Sequence, residues 1–306
     1  MSVKVFGASG FIGANLVKYL SKNYKVQSIS LRENRAFKEE PDAKIFINLV
    51  GKAHDHKKLA VEDDFYYVNY ELTKQIFKEF MDSSAQILIH VSSIAAIEEF
   101  ESKEPLVEDG NINPVSWYGK SKRLAEEFLI NQELPVNKKI IIIRPPMVHG
   151  PGDKGNLGLL YKFISKGLPY PLSGFKNYRS FISIENFCFF IEKLIEKSSN
   201  INSGIFHIAD DETVSTTDII RIIEKVSDKK SFNFSFPKTL ITLLAKFGDV
   251  IPFPINSVKL KKLTSDLVVS NNKIKQTLGI KSLPITAKKG LETTIRSFVT
   301  SDNHNQ

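Results

Sequence analysis

The sequence predicts an α/β fold: a doubly wound parallel sheet, one strand short after its second strand, joined to a smaller C-terminal lobe. Three observations carry this. Short apolar runs alternate with helix-period runs from residue 2 to about residue 143. Several of those runs are apolar throughout, as strands covered on both faces are. The first run ends on a glycine turn that leads directly into a helix.

Taken in order, Ser2-Val3-Lys4-Val5-Phe6 is a β-rich run, Gly7-Ala8-Ser9-Gly10-Phe11-Ile12-Gly13 is the turn, and Ala14 to Ser21 has helical periodicity. Glycines let the backbone turn tightly and approach a pyrophosphate, whose charge then sits at the helix N-terminus where unpaired N–H groups point outward. Gly7, Ser9, Gly10, Phe11, Ile12 and Gly13 are therefore the candidate phosphate-binding turn. Its spacing, Gly-x-x-Gly-x-x-Gly, is shifted from the Gly-x-Gly-x-x-Gly of ordinary dehydrogenases.

The second strand, Lys25 to Leu31, is expected to end beside an adenosine ribose. A NAD site places an acidic residue there and an NADP site accommodates an arginine. Here Arg32 follows the strand, with Arg35 close behind and no acid at the expected place. This favours NADP, with NAD as the alternative. The 13-residue segment from Arg32 to Lys44 has room for one crossover but not for an extra helix-strand-helix unit, so the sheet is expected to fall one strand short of six.

Ile45 to Val50 is the next strand. A helix over 63–81 leads to the strand Gln86 to Val91, which ends on Ser92-Ser93, and a helix over 121–130 leads to the apolar strand Lys139 to Ile143. Beyond Arg144, prolines 145 and 146 and glycines 150, 152 and 155 read as an irregular binding loop. Then follow a helix at 156–166, a strand at 178–184, a helix at 185–196 and a strand at 205–209. Ser215 with Asp218 resembles a capping box, helices cover 238–247 and 272–278, and a frayed tail closes the chain. The two units are expected at 1–148 with 178–212, and at 149–177 with 213–300.

The single cysteine, Cys188, excludes a disulfide framework and fits a reducing, cytoplasmic setting. No apolar run approaches the roughly 20 residues of a membrane span. The net charge of +8 is dispersed and not interleaved with aromatics, which suits anionic small molecules rather than nucleic acid. Within Trp117-Tyr118-Gly119-Lys120-Ser121-Lys122, a phenol and an ammonium stand four residues apart, on one face of a helix. A cation there is expected to lower the tyrosine pKa, making Tyr118 a candidate acid/base. His54 and His149 read as loop histidines outside the chemistry.

Together, the shifted glycine turn and the Ser/Tyr/Lys set resemble the extended short-chain dehydrogenase/reductases, the NAD(P)-dependent nucleotide-sugar epimerase, dehydratase and reductase group. The likeness runs over about residues 3 to 298. It is strengthened by Asn48-Leu49-Val50-Gly51-Lys52-Ala53-His54, by Val68-Asn69, and by Arg179-Ser180-Phe181-Ile182-Ser183-Ile184-Glu185-Asn186.

The resemblance implies a Rossmann domain with Ser93 polarising a sugar carbonyl, Tyr118 moving the proton, and Lys122 holding the nicotinamide ribose. Ser92 competes for the serine role. It implies cofactor contacts at Leu49, Val50, Gly51, Asn69 and Pro145 as well as the glycine turn and Arg32. Substrate contacts fall at Ser93, Asn156, Leu157 and Arg179, and a homodimer is expected through the helices at 63–81 and 121–130.

Two departures narrow the expectation. Met147 stands where galactose epimerases have an asparagine, and Ser30 and Arg32 replace the acidic NAD selector. The sequence is similar to bacterial 4-ketoreductases of UDP-4-keto-6-deoxy-N-acetylhexosamines, used for surface polysaccharide precursors. The alternative is a UDP-hexose 4-epimerase with tightly bound NAD. A dehydratase fits less well, because Ile94-Ala95-Ala96 follows Ser93 where that reaction adds an acidic pair.

Overall fold

A computed structural model describes residues 1–30, 43–53, 61–153, 155–167, 170, 172, 174–229, 237–249 and 256–303. Its centre is a parallel sheet of six strands: β1 (Ser2–Phe6), β2 (Lys25–Ile29), β3 (Ile45–Asn48), β4 (Ile87–Val91), β5 (Lys139–Arg144) and, later in the chain, Gly204–His207. The spatial order is β2-β1-β3-β4-β5 and then the Gly204–His207 strand. Among the described residues β2 is an edge strand, as the short crossover implies. The count is nevertheless six rather than five, because Gly204–His207 pairs with β5 at the opposite edge.

Side chains alternate across the pleat, and both faces are buried. Val3, Val5, Ile45, Ile47, Ile89 and Ile141 face a core completed by α1 (Phe11–Leu20) and the helix Ile184–Glu196. Phe6, Phe46, Leu88, Ile140 and Ile142 face the opposite core. There the chain between β3 and β4 supplies α2 (Glu62–Tyr66), a π turn over Tyr67–Glu71 and α3 (Leu72–Asp82), and α4 (Trp117–Ile130) packs beside it. Lys4 points to this second face and is tolerated because its ammonium reaches Glu79 at 2.9 Å and lies over the Phe46 ring.

After β5 come β6 (Met147–His149), α5 (Asn156–Ile164), β7 (Phe181–Ser183), α6 (Ile184–Glu196), β8 (Gly204–His207), α7 (Thr216–Ser227), α8 (Lys238–Phe247), α9 (Ser257–Thr264), α10 (Asn272–Leu278) and α11 (Ala287–Asn303). A separate apolar cluster joins α5, α7, α8 and α11 through residues such as Tyr161, Ile219, Ile241 and Leu291. Two sequence expectations are corrected here. The proline and glycine stretch contains a strand, β6, which pairs in parallel with β7, so His149 is a buried strand residue rather than a loop one. The C-terminal segment is helical through Asn303 instead of frayed from residue 301.

Candidate active site

All six strands are parallel, so their carboxyl ends share one edge. The order reverses between β1 and β3, the place where such sheets form a crevice. The glycine turn lies there. Gly7 has φ of +80°, and a Cβ on it would come within 2.9 Å of the Leu49 backbone. A Cβ on Gly13 would meet the Gly7 carbonyl at 2.3 Å and the Ala8 Cα at 2.7 Å. The α1 helix begins on Gly10 with no capping side chain and no acid in its first turn, which leaves its N-terminus suited to an anion. This cradle fits the pyrophosphate of a dinucleotide through Ser9, Phe11 and Ile12. The end of β2 adjoins it, since the Gly7 N–H donates to the Ile29 carbonyl at 3.1 Å. Arg32 and His54 lie outside the described residues.

Next along the edge, Leu49, Val50 and Gly51 follow β3. Asn69 is fully buried on the π turn: its Oδ1 accepts from the Lys52 N–H at 2.8 Å, and its Nδ2 donates to the Lys52 carbonyl at 3.1 Å and to Ser121 at 2.9 Å. Its amide therefore ties the Gly51-Lys52 loop to α4, and its bearing on a cofactor is through that loop. Asn48 does the same one layer deeper, accepting from the Val50 N–H at 2.9 Å while its Nδ2 bonds Thr73 and the ring of His90. The π turn was invisible in the sequence, where 63–81 reads as one uninterrupted helix. π turns recur at functional sites.

Helix α4 starts one turn earlier than its periodicity suggests, because Ser116 caps it by accepting from the Gly119 N–H at 3.0 Å. Tyr118 consequently sits in the first turn, half-buried, with its hydroxyl near enough to Ser93 for that side chain to act on its pKa. Ser93 lies just past β4 and also accepts from the Ala95 N–H at 3.2 Å. Ser92, the competitor, is buried. Pro145 anchors the other side, its carbonyl accepting from the Ile94 N–H at 2.9 Å.

Lys122 is buried one turn on from Tyr118 and donates to the Val91 carbonyl at 2.9 Å and the Val50 carbonyl at 3.4 Å. Burial lowers its pKa to about 8, against an opposing pull from Glu126. The Tyr118 pKa is raised rather than lowered as the spacing suggested. Burial pushes it up, the Ser93 side chain lowers it in part, and Glu99 adds a further rise. The physical reason is burial, the largest cause; Lys122, which donates to the Val91 and Val50 carbonyls, is not among the groups that move the phenol.

Gly51 faces Lys122: a Cβ there would lie 3.1 Å from Nζ. Bare backbone at residue 51 thus lets the ammonium lie close against this loop. Gly119 is equally constrained, with the Ala95 carbonyl 2.4 Å and Glu99 Oε1 2.5 Å from an added Cβ.

The expected substrate residues divide. Asn156 is exposed at the start of α5. The Leu157 side chain belongs to the second core, 2 % exposed, because it falls on the inward face of α5. Arg179 is half-buried and donates to the Ser265 carbonyl at 3.1 Å and the Phe100 carbonyl at 3.4 Å, joining two segments distant in sequence. Burial lowers its pKa, with Asp266 opposing.

One feature beyond sequence reasoning is a buried ion pair. Arg144, at the end of β5, grips Glu126 of α4 through Nε at 2.8 Å and Nη2 at 2.7 Å. Only the chemically odd presence of Arg at the end of an apolar strand signals it.

Residues 3–209 match the NAD dependent epimerase/dehydratase family. The chain is 28% identical to the UDP-glucose 4-epimerase of Vibrio cholerae, over 99% of this chain and 97% of that one. It is 23% identical to N-acetyl-alpha-D-glucosaminyl-diphospho-ditrans,octacis-undecaprenol 4-epimerase of Escherichia coli O157:H7, over 96% and 94%. In fold it is similar to UDP-glucuronic acid 4-epimerase from Bacillus cereus, solved with NAD, with a TM-score of 0.77 at 20% identity over 98% of this chain and 99% of that one. With the family pattern spanning well over half of its length, the chain belongs to the NAD dependent epimerase/dehydratase family.

Proposed function

We propose that the protein is an NAD(P)H-dependent 4-ketoreductase of a UDP-4-keto-6-deoxy-N-acetylhexosamine, acting in the cytoplasm on precursors of surface polysaccharide. The observation that carries oxidoreduction at a sugar carbon is the convergence of three side chains: Ser93 acts on the Tyr118 phenol, and Lys122 stands one turn further along the same helix. When bound, the nicotinamide supplies hydride to C4. In that reading Ser93 donates a hydrogen bond to the C4 oxygen, and Tyr118 delivers the proton to it. A raised tyrosine pKa keeps the phenol protonated at neutral pH, which suits a proton donor in the reductive direction. Lys122 is mostly charged at pH 7 and offers a donor to ribose hydroxyls beside Gly51.

In the same reading the lobe of residues 149–177 and 213–300 holds the nucleotide sugar. Asn156 and the α5 N-terminus approach the diphosphate, and Arg179 adds a charge-assisted contact. Arg32 selects NADP. Exposed Tyr67 and Trp117 on the α2–α4 side support a homodimer on that surface.

A second reading, a UDP-hexose 4-epimerase with resident NAD, is favoured by the 28% identity to the Vibrio cholerae UDP-glucose 4-epimerase. It uses the same three side chains in alternating directions. One experiment separates the two: incubation with NADPH or NADH and a panel of UDP-4-keto sugars, read by mass. A gain of two hydrogens with stoichiometric cofactor oxidation supports the reductase. Interconversion of UDP-hexoses without added cofactor, with NAD copurifying, refutes it in favour of the epimerase.

A further inference from the structure

The chain between Ser93 and Tyr118 carries one buried acid, Glu99, 6% exposed. It follows the 3₁₀ turn Ile94–Ala96, which Ser93 opens. Burying a carboxylate is costly unless N–H groups are supplied to it. Here two donors come from the entry of the helix that bears the phenol. Glu99 Oε1 accepts from the Val115 N–H at 3.2 Å and from the Ser116 N–H at 2.7 Å. Ser116 is the α4 cap, and Tyr118 is the second residue of the helix. The same oxygen would lie 2.5 Å from a Cβ on residue 119, so the close approach requires the glycine that stands there.

Neighbouring contacts complete a clasp between two segments. The Asn113 N–H donates to the Ile97 carbonyl at 2.7 Å. Glu98 Oε1 accepts from the Glu99 and Phe100 N–H groups, each at 2.9 Å, which fixes the backbone that presents Glu99. The segment that begins at Ser93 is thereby tied to the residues just before Tyr118. A carboxylate at this end of α4 also suits the positive end of the helix dipole. In the sequence Glu99 is one acid in a run with Glu98, Glu101, Glu104, Glu108 and Asp109, and only the fold singles it out.

We propose that Glu99 is a positioning residue for the reaction: its carboxylate holds the entry of α4 against the Ser93 segment and places a negative charge within reach of the Tyr118 phenol. The proposal rests on Tyr118 as the proton donor of the proposed ketone reduction. A negative charge opposes formation of a phenolate, so the phenol keeps the proton it is to deliver. Burial raises the Tyr118 pKa most, the Ser93 side chain lowers it, and Glu99 raises it further. Charged side chains on the other elements packed against α4 are turned to other partners. Asp64 of α2 pairs with Lys52, Glu71 of the π turn with Lys74, Glu79 of α3 with Lys4, and Arg144 of β5 with Glu126. Glu62 and Asp63 of α2 are exposed. On α4 itself Lys122 donates to the Val91 and Val50 carbonyls, and Lys120 is exposed.

The test compares Glu99→Gln, which keeps an oxygen for both N–H groups but removes the charge, with Glu99→Ala, which removes both. In protein isotope-labelled at tyrosine Cζ, the Tyr118 resonance is the one lost in Tyr118→Phe. In Glu99→Gln it is expected to move toward the phenolate position at a pH lower than in wild type by at least about half a unit. The alkaline limb of kcat/KM for NADPH reduction of a UDP-4-keto-6-deoxy-N-acetylhexosamine is expected to shift down by the same amount. In Glu99→Ala, kcat is expected to fall at least about tenfold with KM within a few-fold of wild type, and Glu99→Gln is expected to recover most of that loss at neutral pH. Two results overturn the proposal: a Tyr118 resonance in Glu99→Gln that matches wild type from about pH 8 to about 11, or a kcat in Glu99→Ala within about twofold of wild type. The resonance needs no substrate. If wild type reduces no such ketone, a displaced resonance still supports the role of Glu99, and the ketoreductase reading alone falls.

Discussion

Arg144 and Glu126 meet through two hydrogen bonds of 2.8 and 2.7 Å in a setting where both side chains are at most 1% exposed, which locks the helix carrying Tyr118 to the strand beside Ser93. Removing Glu126 leaves the Arg144 guanidinium charged and dry, and removing Arg144 leaves Glu126 only the longer 3.4 Å contact with Arg123. Arg144→Met or Glu126→Leu alone is expected to cost about 3–5 kcal/mol in urea unfolding, and the double variant clearly less than either. A double variant as unstable as the sum of the singles would show that the two residues contribute through separate contacts.

Gly13→Ala places a methyl 2.3 Å from the Gly7 carbonyl, against backbone that cannot yield cheaply. NADPH or NADH affinity, measured by fluorescence titration, is expected to fall at least about tenfold as the turn opens. Gly152 is the control. It has φ of +87° but open space around it, so Gly152→Ala is expected to cost about 1 kcal/mol of stability through backbone strain alone and to leave cofactor affinity unchanged.

Stability is expected to fall as pH drops from about 6.5 to about 4. Burial holds His149 at about 4 and His207 at about 3, so the unfolded chain binds these protons first and acid favours unfolding. Asp210 acts in the opposite sense. Burial raises its pKa to about 6 despite hydrogen bonds from Asn186 and Ser183, so its contribution is present in acid and lost as pH rises from about 4 to 6. The two histidines outweigh it. Urea unfolding across this window is expected to show a shallower pH slope in His149→Gln and a steeper one in Asp210→Asn; a flat wild-type profile would contradict the assignment.

What the sequence disclosed and what it concealed follow from the range of the interactions. The glycine turn, the one-turn spacing of Tyr118 and Lys122 and the two-faced apolar strands depend on local spacing and stand where the pattern puts them, although α4 itself begins a turn earlier than its periodicity suggests. The Gly204–His207 strand could be drawn but not placed, because joining β5 is a pairing across 60 residues. The short β6 exists only through its partner β7 and therefore looked like loop. The direction of the Tyr118 pKa was misjudged for the same reason. The four-residue spacing to Lys122 is local, whereas the burial that raises the phenol's pKa comes from elements distant in sequence that pack around it. Leu157 likewise became core only once α5 had α7 and α11 to pack against.

The most direct measurement is single-turnover and steady-state kinetics of Tyr118→Phe, a change that removes the phenolic hydroxyl beside Ser93 and little else. With the phenol as proton donor, kcat is expected to drop at least about a hundredfold while the dissociation constants of cofactor and UDP-sugar stay within a few-fold of wild type. Turnover retained within tenfold of wild type, with both ligands still bound, would contradict the account.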